Sequence, residues 1–292
     1  MKPIDRARQS LEGLSVGDAF GEQLLHSGAL ARVEALSDRR TPVAKQWAWT
    51  DDTAMALSIV ETLAALGAID ADVLAAAFVR RYAIEPARGY GRGAHEVLAA
   101  IATGTPYAIA ARALFGGQGS MGNGGGMRSA PVGAYFSDDL AAVVDHATRS
   151  AQPTHAHSEG AAGAVAVAVA TAAVFCGERD PRRLLDTIVA HTPKGPTRDG
   201  VRRAIPMLRA EPITVAAELG NGAHVLAADT IPFAVWCAAT HLEDYSAALW
   251  ACCEVGGDVD TTCAIVGGIV VGAVGIEGIP AAWRSAREPL PI

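Results

Sequence analysis

The chain has 292 residues, of which half are hydrophobic but only 5% aromatic, and its formal net charge is −7. This acidic balance argues against a general nucleic-acid-binding surface, because such surfaces are usually basic. No linker-like stretch or run of like charge divides the chain, so residues 1–292 are expected to form a single domain.

Apolar segments of helical length recur along the whole chain, and no series of alternating apolar and polar residues suggests strands. The sequence therefore predicts a compact all-α fold. In chain order, helices are predicted at residues 11–16, 53–66, 72–82, 93–102, 107–114, 138–150, 157–175, 181–190, 201–208, 229–239, 245–253, 261–274 and 280–287. Loops are predicted at residues 17–21, 85–93, 116–126 and 192–200.

The first predicted loop reads Gly-Asp-Ala-Phe-Gly over residues 17–21 and is followed by Glu22. Asp18 is expected to form a local turn through its side chain. Glu22 is the nearest candidate for a general acid or base.

Two acidic clusters stand almost a full chain apart, and each pairs two carboxylates with threonine hydroxyls. They read Thr-Asp-Asp-Thr at residues 50–53 and Asp-Val-Asp-Thr-Thr at residues 258–262. Helix capping explains one or two oxygen side chains before each apolar run, but not the excess in both. Hard divalent cations prefer oxygen ligands. If the fold brings the clusters together, they predict a binuclear Mg²⁺ or Mn²⁺ site, which is compatible with capping.

A glycine-rich segment at residues 116–126 leads into Met127 and Arg128. A glycine-rich loop at a helix start presents backbone N–H groups to phosphate. The segment matches neither a P-loop nor a dinucleotide fingerprint. A flexible solvent loop is the alternative, and Asn123 and Arg128 at the helix entrance favour ligand binding.

The segment from Thr154 to Gly160 contains two histidines, His155 and His157. Such a pair suits a transition metal, but no Cys or further His lies nearby in the sequence. Thr154 could cap the following helix, and His155 could equally contact a ligand at its mouth.

Residues 160–177 carry no charge and reach the lower length limit of a membrane span. Their Ala, Gly and Val content favours a central buried helix. Four of the five cysteines lie in predicted helices, which is typical of reduced, buried cysteine in a cytosolic protein. The first ten residues lack the apolar core of a signal peptide, so a cytoplasmic location is expected.

Five segments together resemble the ADP-ribosylglycohydrolase family, which includes the dinitrogenase reductase-activating glycohydrolases and the ADP-ribosyl-acceptor hydrolases. They lie at residues 17–21, 49–53, 122–128, 154–155 and 257–261. The resemblance implies an all-α fold of that type, two Mg²⁺ or Mn²⁺ ions, and cleavage of the glycosidic bond between ADP-ribose and a protein or small-molecule acceptor. The metal ligands that it implies are Thr50, Asp51, Asp52, Asp258, Asp260 and Thr261. The substrate-binding residues that it implies are Gly122, Asn123, Gly124, Gly125, Gly126, Met127 and His155.

The chain departs from the family pattern at one position. Family members often carry a glutamate a few residues after the first segment, and here the aligned residue is Leu25. Glu22 is the expected replacement as acid/base. Glu34 swinging in, or a missing acid/base, are the alternatives.

A metal-dependent ADP-ribosyl hydrolase is thus the leading hypothesis, with ADP-ribose as product and the acceptor left open. The first alternative is a non-catalytic member that binds ADP-ribose or has a structural role, since fold does not determine activity. The second is a binuclear-metal phosphoesterase.

Overall fold

The computed structural model describes residues 1–27, 29–42 and 45–291. Within those ranges the chain forms seventeen α-helices and no extended β-strand, so the predicted all-α fold is confirmed. The helices are α1 (Pro3–His26), α2 (Ala29–Asp38), α3 (Asp51–Leu66), α4 (Ala71–Ile84), α5 (Arg92–Ala102), α6 (Tyr107–Gly117), α7 (Gly124–Met127), α8 (Ala130–Tyr135), α9 (Leu140–Ala151), α10 (Ser158–Phe175), α11 (Pro181–His191), α12 (Pro196–Ala204), α13 (Pro212–Leu219), α14 (Ala227–Thr240), α15 (Tyr245–Cys253), α16 (Val259–Val274) and α17 (Ala281–Ala286).

Every predicted helical segment overlaps an observed helix, but the prediction of a loop at residues 17–21 is wrong. This segment lies inside α1, which continues without a break to His26. The loop predicted at 192–200 is also too long, because α12 begins at Pro196. Four further helices, α2, α7, α8 and α13, are absent from the prediction.

The glycines of α1 form a stripe that lets this helix approach α16 at backbone contact. A Cβ atom on Gly17 would overlap the carbonyl oxygen of Cys263, and one on Gly21 would lie 2.6 Å from the Cα atom of Asp260. Glycine is unfavourable in an isolated helix. Here the close contact between two long helices outweighs that preference, which is why the local pattern misleads.

Helix α10 runs through the centre of the molecule. It is the one helix of the described residues with the length and apolar composition of a membrane span, but most of it is buried among other helices. It packs against α7, α8, α9, α11, α14 and α16. The prediction of a central buried helix is therefore confirmed. Four cysteines are buried as predicted, whereas Cys176, just after α10, is exposed.

The segment before α3 is held in place by an arginine from another part of the chain. The guanidinium of Arg88 lies 3.7 Å from the ring centre of Trp49 and donates a 3.0 Å hydrogen bond to its carbonyl oxygen. It also binds both carboxylate oxygens of Glu288. In return, the Asp51 N–H donates to the Arg88 carbonyl oxygen at 2.6 Å. These contacts fix the backbone on either side of Thr50, where the first acidic cluster begins.

Candidate active site

A cavity of about 540 Å³ brings together residues from distant parts of the chain. Most of the residues proposed from the sequence line it, namely Asp51, Asp52, Gly122, Asn123, Gly124, Met127, His155, Asp258, Asp260 and Thr261. Thr50, Gly125, Gly126 and Glu22 do not belong to its wall. The two acidic clusters thus meet at one site, although about two hundred residues separate them.

The first cluster begins α3, and Thr50 is the N-cap of that helix. Its hydroxyl oxygen accepts a 3.3 Å hydrogen bond from the Asp52 N–H, as a capping residue does. The carboxylate of Asp52 is nevertheless not used as a cap. It is almost completely buried, and its Oδ1 atom has no hydrogen-bond partner among the described residues. Capping therefore accounts for Thr50 but not for Asp52.

Asp18 lies beneath this cluster and does not form the local turn expected from the sequence. Its fully buried carboxylate accepts hydrogen bonds from the N–H and hydroxyl groups of both Thr50 and Thr53. Burial raises the pKa of Asp18 to about 7, although these four donors favour the charged form. Asp18 thus joins the middle of α1 to the start of α3.

The second cluster begins α16. Asp258 occupies the N-cap position but its side chain makes no capping hydrogen bond. Instead its Oδ2 atom accepts a 2.6 Å hydrogen bond from the side-chain amide of Asn123. The Oδ1 atom of Asp260 is buried and has no partner among the described residues. As in the first cluster, oxygen atoms remain that helix capping does not use.

Burial and neighbouring negative charge raise the pKa values of three carboxylates at the site, Asp51, Asp52 and Asp258. Burial, and then the nearby charges of Asp18 and Asp260, hold the pKa values of Asp51 and Asp52 well above the usual range. Burial and Asp260 raise that of Asp258 to about 7. Buried like charges at this density are unfavourable unless protons or cations neutralise them.

The side-chain oxygens at this site suit a divalent cation that keeps some of its water ligands better than one that is ligated entirely by the protein. Unpartnered buried oxygens of Asp52 and Asp260 are hard ligands in residues that line one cavity. In the part of the chain that is described, no three Asp, Glu, His or Cys side chains already converge as ligands of one ion. Threonine hydroxyls and water would complete such a shell, as is usual for Mg²⁺.

The glycine-rich segment divides into two parts with different roles. Gly122 and Gly124 line the cavity, and a Cβ atom on either would come within 3.3 Å of the imidazole of His155. Gly125 and Gly126 instead let α7 pack closely, because a Cβ atom there would lie 2.7 Å from Gly160 O and from the Ile231 side chain, respectively. No acceptor for the N–H groups of Gly124 and Gly125 is found among the described residues.

The two histidines of the 154–160 segment have different positions and different partners. His157 caps α10, since its Nδ1 atom accepts a 3.1 Å hydrogen bond from the Glu159 N–H. His155 is almost completely buried in the cavity wall. The pair therefore does not converge on a transition metal. Burial, and then the charge of Arg128, lower the pKa of His155 to about 3.

Arg128 belongs to the cavity wall, as expected for a residue near the ligand, but its side chain is fully buried and engaged by other parts of the protein. It donates to Ser150 O and Thr154 Oγ1, and its guanidinium lies 4.6 Å from the ring centre of Phe78. Sequence alone cannot show this, because its partners come from helices that are distant along the chain.

The candidate acid/base residues lie outside the cavity wall. Glu22 is half-buried in the last turn of α1, and its Oε1 atom is 3.2 Å from His26 Nδ1. Burial and the charge of Asp260 raise its pKa, so it lies close to the second cluster. Leu25 packs against the core, and Glu34 is exposed on α2.

The cavity wall also has an apolar part that the sequence did not indicate. We call it the apolar wall; it consists of Leu114, Phe115, Met121, Val225 and Leu226. Phe115 and Val225 are two non-glycine residues in the left-handed backbone region, with φ of 52° and 57°, and both side chains are largely exposed. Residues held in such conformations often mark ligand sites. An exposed flat apolar surface of this kind suits a planar apolar group.

Comparisons with known proteins identify the family of this chain. The model of the ADP-ribosylglycohydrolase family matches residues 1–289. ADP-ribosylhydrolase ARH3 of Mus musculus is 28% identical over 98% of this chain and 88% of its own. The Homo sapiens ARH3 is also 28% identical, over 98% of this chain and 90% of its own. A solved structure described as an ADP-ribosylglycohydrolase-related protein complex has the same fold, with a TM-score of 0.68, 24% identity, and coverage of 98% of this chain and 93% of that one. The chain therefore belongs to the ADP-ribosylglycohydrolase family and is an enzyme of the ADP-ribosyl hydrolase class.

Proposed function

We propose that this protein is a metal-dependent hydrolase that cleaves the glycosidic bond between ADP-ribose and an acceptor. The observation that carries the proposal is the pair of buried, unpartnered carboxylate oxygens, Asp52 Oδ1 and Asp260 Oδ1. They belong to opposite ends of the chain and to the wall of one cavity. Buried polar atoms without a partner are rare in folded proteins, and a cation would satisfy both.

The residues that would hold two Mg²⁺ or Mn²⁺ ions are Thr50, Asp51, Asp52, Asp258, Asp260 and Thr261. Thr50 does not line the cavity, but its hydroxyl lies 3.1 Å from Asp52 Oδ2. Bound divalent cations supply Lewis-acid polarisation and a water of lowered pKa. The protein's own contribution is to fix the carboxylates: Asp18 holds the start of α3, and Asn123 holds Asp258.

The remaining wall matches the parts of ADP-ribose. The N–H groups of Gly124 and Gly125, which have no acceptor among the described residues, are suited to the diphosphate, because glycine allows close backbone approach. The apolar wall provides a surface for the base. Gly125 and Gly126 support this arrangement because they let α7 pack closely against α10 and α14, and Met127 is part of the cavity wall. The acceptor would leave from the end of the cavity that holds the carboxylates.

Glu22 is proposed as the acid/base residue. Its position near Asp260 and its raised pKa suit a carboxyl group that takes up and releases a proton during the reaction. Its place outside the cavity wall is the observation against this assignment; the alternatives are that Glu34 takes the role or that no glutamate does.

The test is incubation with a panel of ADP-ribosylated substrates carrying arginine, serine, a nucleobase or an acetyl group as acceptor. Free ADP-ribose is measured with EDTA, and again after Mg²⁺ or Mn²⁺ is restored. We expect release from at least one substrate, its loss in EDTA, and its loss in Asp260→Asn. Asp180→Asn, which alters only an exposed cap of α11, is the matched control.

Three results would contradict the proposal in different ways. Release that persists in EDTA would remove the metal from the mechanism. Binding of ADP-ribose without release from any substrate would support the non-catalytic alternative. Release of inorganic phosphate from simple phosphoesters would support a phosphoesterase.

A further inference from the structure

A chain of three hydrogen-bonding side chains lies beneath the glycine-rich segment. The Nη2 atom of Arg128 donates to Thr154 Oγ1 at 2.8 Å and to Ser150 O at 3.1 Å. Thr154 Oγ1 in turn lies 2.7 Å from His155 Nδ1. Arg128 and Thr154 are both buried, so water does not compete for these bonds.

The direction of each bond follows from the donors available. A guanidinium has only donors, so Thr154 Oγ1 must accept from Arg128. The threonine hydroxyl has one proton, and His155 Nδ1 is the one acceptor found for it among the described residues. A proton on Nδ1 would place two donors against the same oxygen and leave the hydroxyl proton without a partner. Thr154 therefore donates to Nδ1, and the neutral imidazole carries its proton on Nε2.

The Nε2 atom lies at the glycine-rich segment. A Cβ atom on Gly122 or Gly124 would come within 3.3 Å of it, and all three residues belong to the cavity wall. The absence of side chains at these two glycines leaves room in front of the Nε2–H group. An oxygen atom of a phosphate or hydroxyl group is the partner that a neutral N–H donor would take there.

We propose that Arg128 and Thr154 are positioning residues that hold His155 in one tautomer, so that Nε2–H is a permanent neutral hydrogen-bond donor to ligand oxygen. Because its lone pair is on the inner nitrogen, His155 acts neither as a general base nor as a metal ligand in the cavity. The identity of the ligand as ADP-ribose rests on the proposed function, whereas the tautomer rests on the buried contacts alone.

The test uses the full-length protein labelled with ¹⁵N in its histidines. Long-range ¹H–¹⁵N spectra distinguish a protonated from an unprotonated ring nitrogen, and His155→Gln assigns the signals. We expect protonated Nε2 and unprotonated Nδ1 for His155 in the wild type without ligand. In Thr154→Val the signals should move toward a mixture of tautomers, and ADP-ribose affinity by calorimetry should fall on the order of tenfold.

Two further variants separate this role from a merely structural one. Thr154→Ser retains the hydroxyl, so His155 should keep its wild-type tautomer and the protein its wild-type affinity for ADP-ribose. Thr171→Val removes a hydroxyl that is equally buried but bonds only within α10, and it should change neither.

A proton on Nδ1 in the wild type, or an unchanged tautomer in Thr154→Val, would overturn the inference. Should Thr154→Val fail to fold, the wild-type spectrum still decides. The expected tautomer in a protein that does not bind ADP-ribose would uphold the positioning role and refute the proposed function instead.

Discussion

Asp18 accepts two hydrogen bonds from Thr50, one from its N–H at 2.9 Å and one from its hydroxyl at 2.9 Å. The first residue lies in the middle of α1 and the second caps α3. Their contact makes the position of the first acidic cluster depend on that of α1. The first acidic cluster is thus held in position by the carboxylate of Asp18, which does not itself line the cavity.

Asp18→Asn should weaken cation binding at least tenfold. An amide has one acceptor oxygen, so some donors of Thr50 and Thr53 would lose their partner, and unsatisfied buried donors destabilise the local geometry. The affinity for Mn²⁺ is measured by calorimetry. Asp139→Asn, at the exposed cap of α9, is the control because asparagine caps equally well. Wild-type affinity in Asp18→Asn would refute the positioning role.

The protein without divalent cations should lose stability as pH rises from about 4 to about 7. The folded-state pKa values of Asp18 and Asp258 are raised to about 7. Between the unfolded and folded pKa values the folded protein holds more protons than the unfolded chain. Stability from these groups is therefore complete below the unfolded value and is lost as pH rises through the folded value.

Urea unfolding in EDTA at pH 5 and pH 7.5 measures this loss, which we expect to be about 1–3 kcal/mol larger in the wild type than in Asp258→Asn. Added Mn²⁺ should stabilise the wild type at pH 7.5 far more than the variant. If the free energy of unfolding in EDTA changes equally with pH in the two proteins, Asp258 does not have the raised pKa described.

Gly124→Val should weaken ADP-ribose binding at least tenfold while Mn²⁺ affinity stays unchanged. A Cβ atom at this position lies 3.0 Å from His155 Cε1, and the added methyl groups would occupy space at the cavity wall. Calorimetry with each ligand separates the two effects. Unchanged ADP-ribose affinity would place the phosphates elsewhere, and a parallel loss of Mn²⁺ binding would indicate general distortion.

Glu22→Gln should slow hydrolysis at least tenfold and leave ADP-ribose affinity similar, since general acid–base groups contribute on the order of 10²–10⁴ in rate. Single-turnover rates and calorimetry provide the two measurements. Glu34→Gln is the comparison variant. If it alone is slow, the role belongs to Glu34, and if neither is slow, no glutamate of this region takes part.

Gly17→Ala should destabilise the protein by about 3 kcal/mol or more, because the added methyl group would overlap the Cys263 carbonyl oxygen. Gly93→Ala is the control. That glycine lies within α5, and a Cβ atom there meets nothing closer than 3.4 Å, so alanine should be neutral or slightly stabilising. Melting curves of both variants decide, and equal melting temperatures would refute the role of the glycine stripe.

Features that depend on neighbouring residues could be predicted from the sequence. Apolar periodicity located most helices, and the excess of carboxylates at residues 51–52 and 258–260 indicated that the two clusters share a site. Features that depend on tertiary contacts could not be predicted. Gly17 and Gly21 indicate a turn locally, and only the contact with α16 makes them helical. Asp18 and Arg128 are polar residues whose burial depends on partners elsewhere in the chain.

The apolar wall was missed for a related reason. Phe115 and Val225 are ordinary apolar residues in the sequence, and an apolar residue is most often assigned to the core. Their left-handed backbone and exposure become visible only in the structure.

The glycine stripe between α1 and α16 also determines when the site can exist during folding. Asp18 of α1 holds the first acidic cluster, and α1 meets the helix of the second cluster, α16, through backbone contacts between segments more than two hundred residues apart. Closing so long a loop is entropically unfavourable until the contacts on both sides have formed. No local part of the chain contains all the residues of the proposed cation site. The appearance of tight cation binding during refolding would therefore report that α1 and α16 have docked.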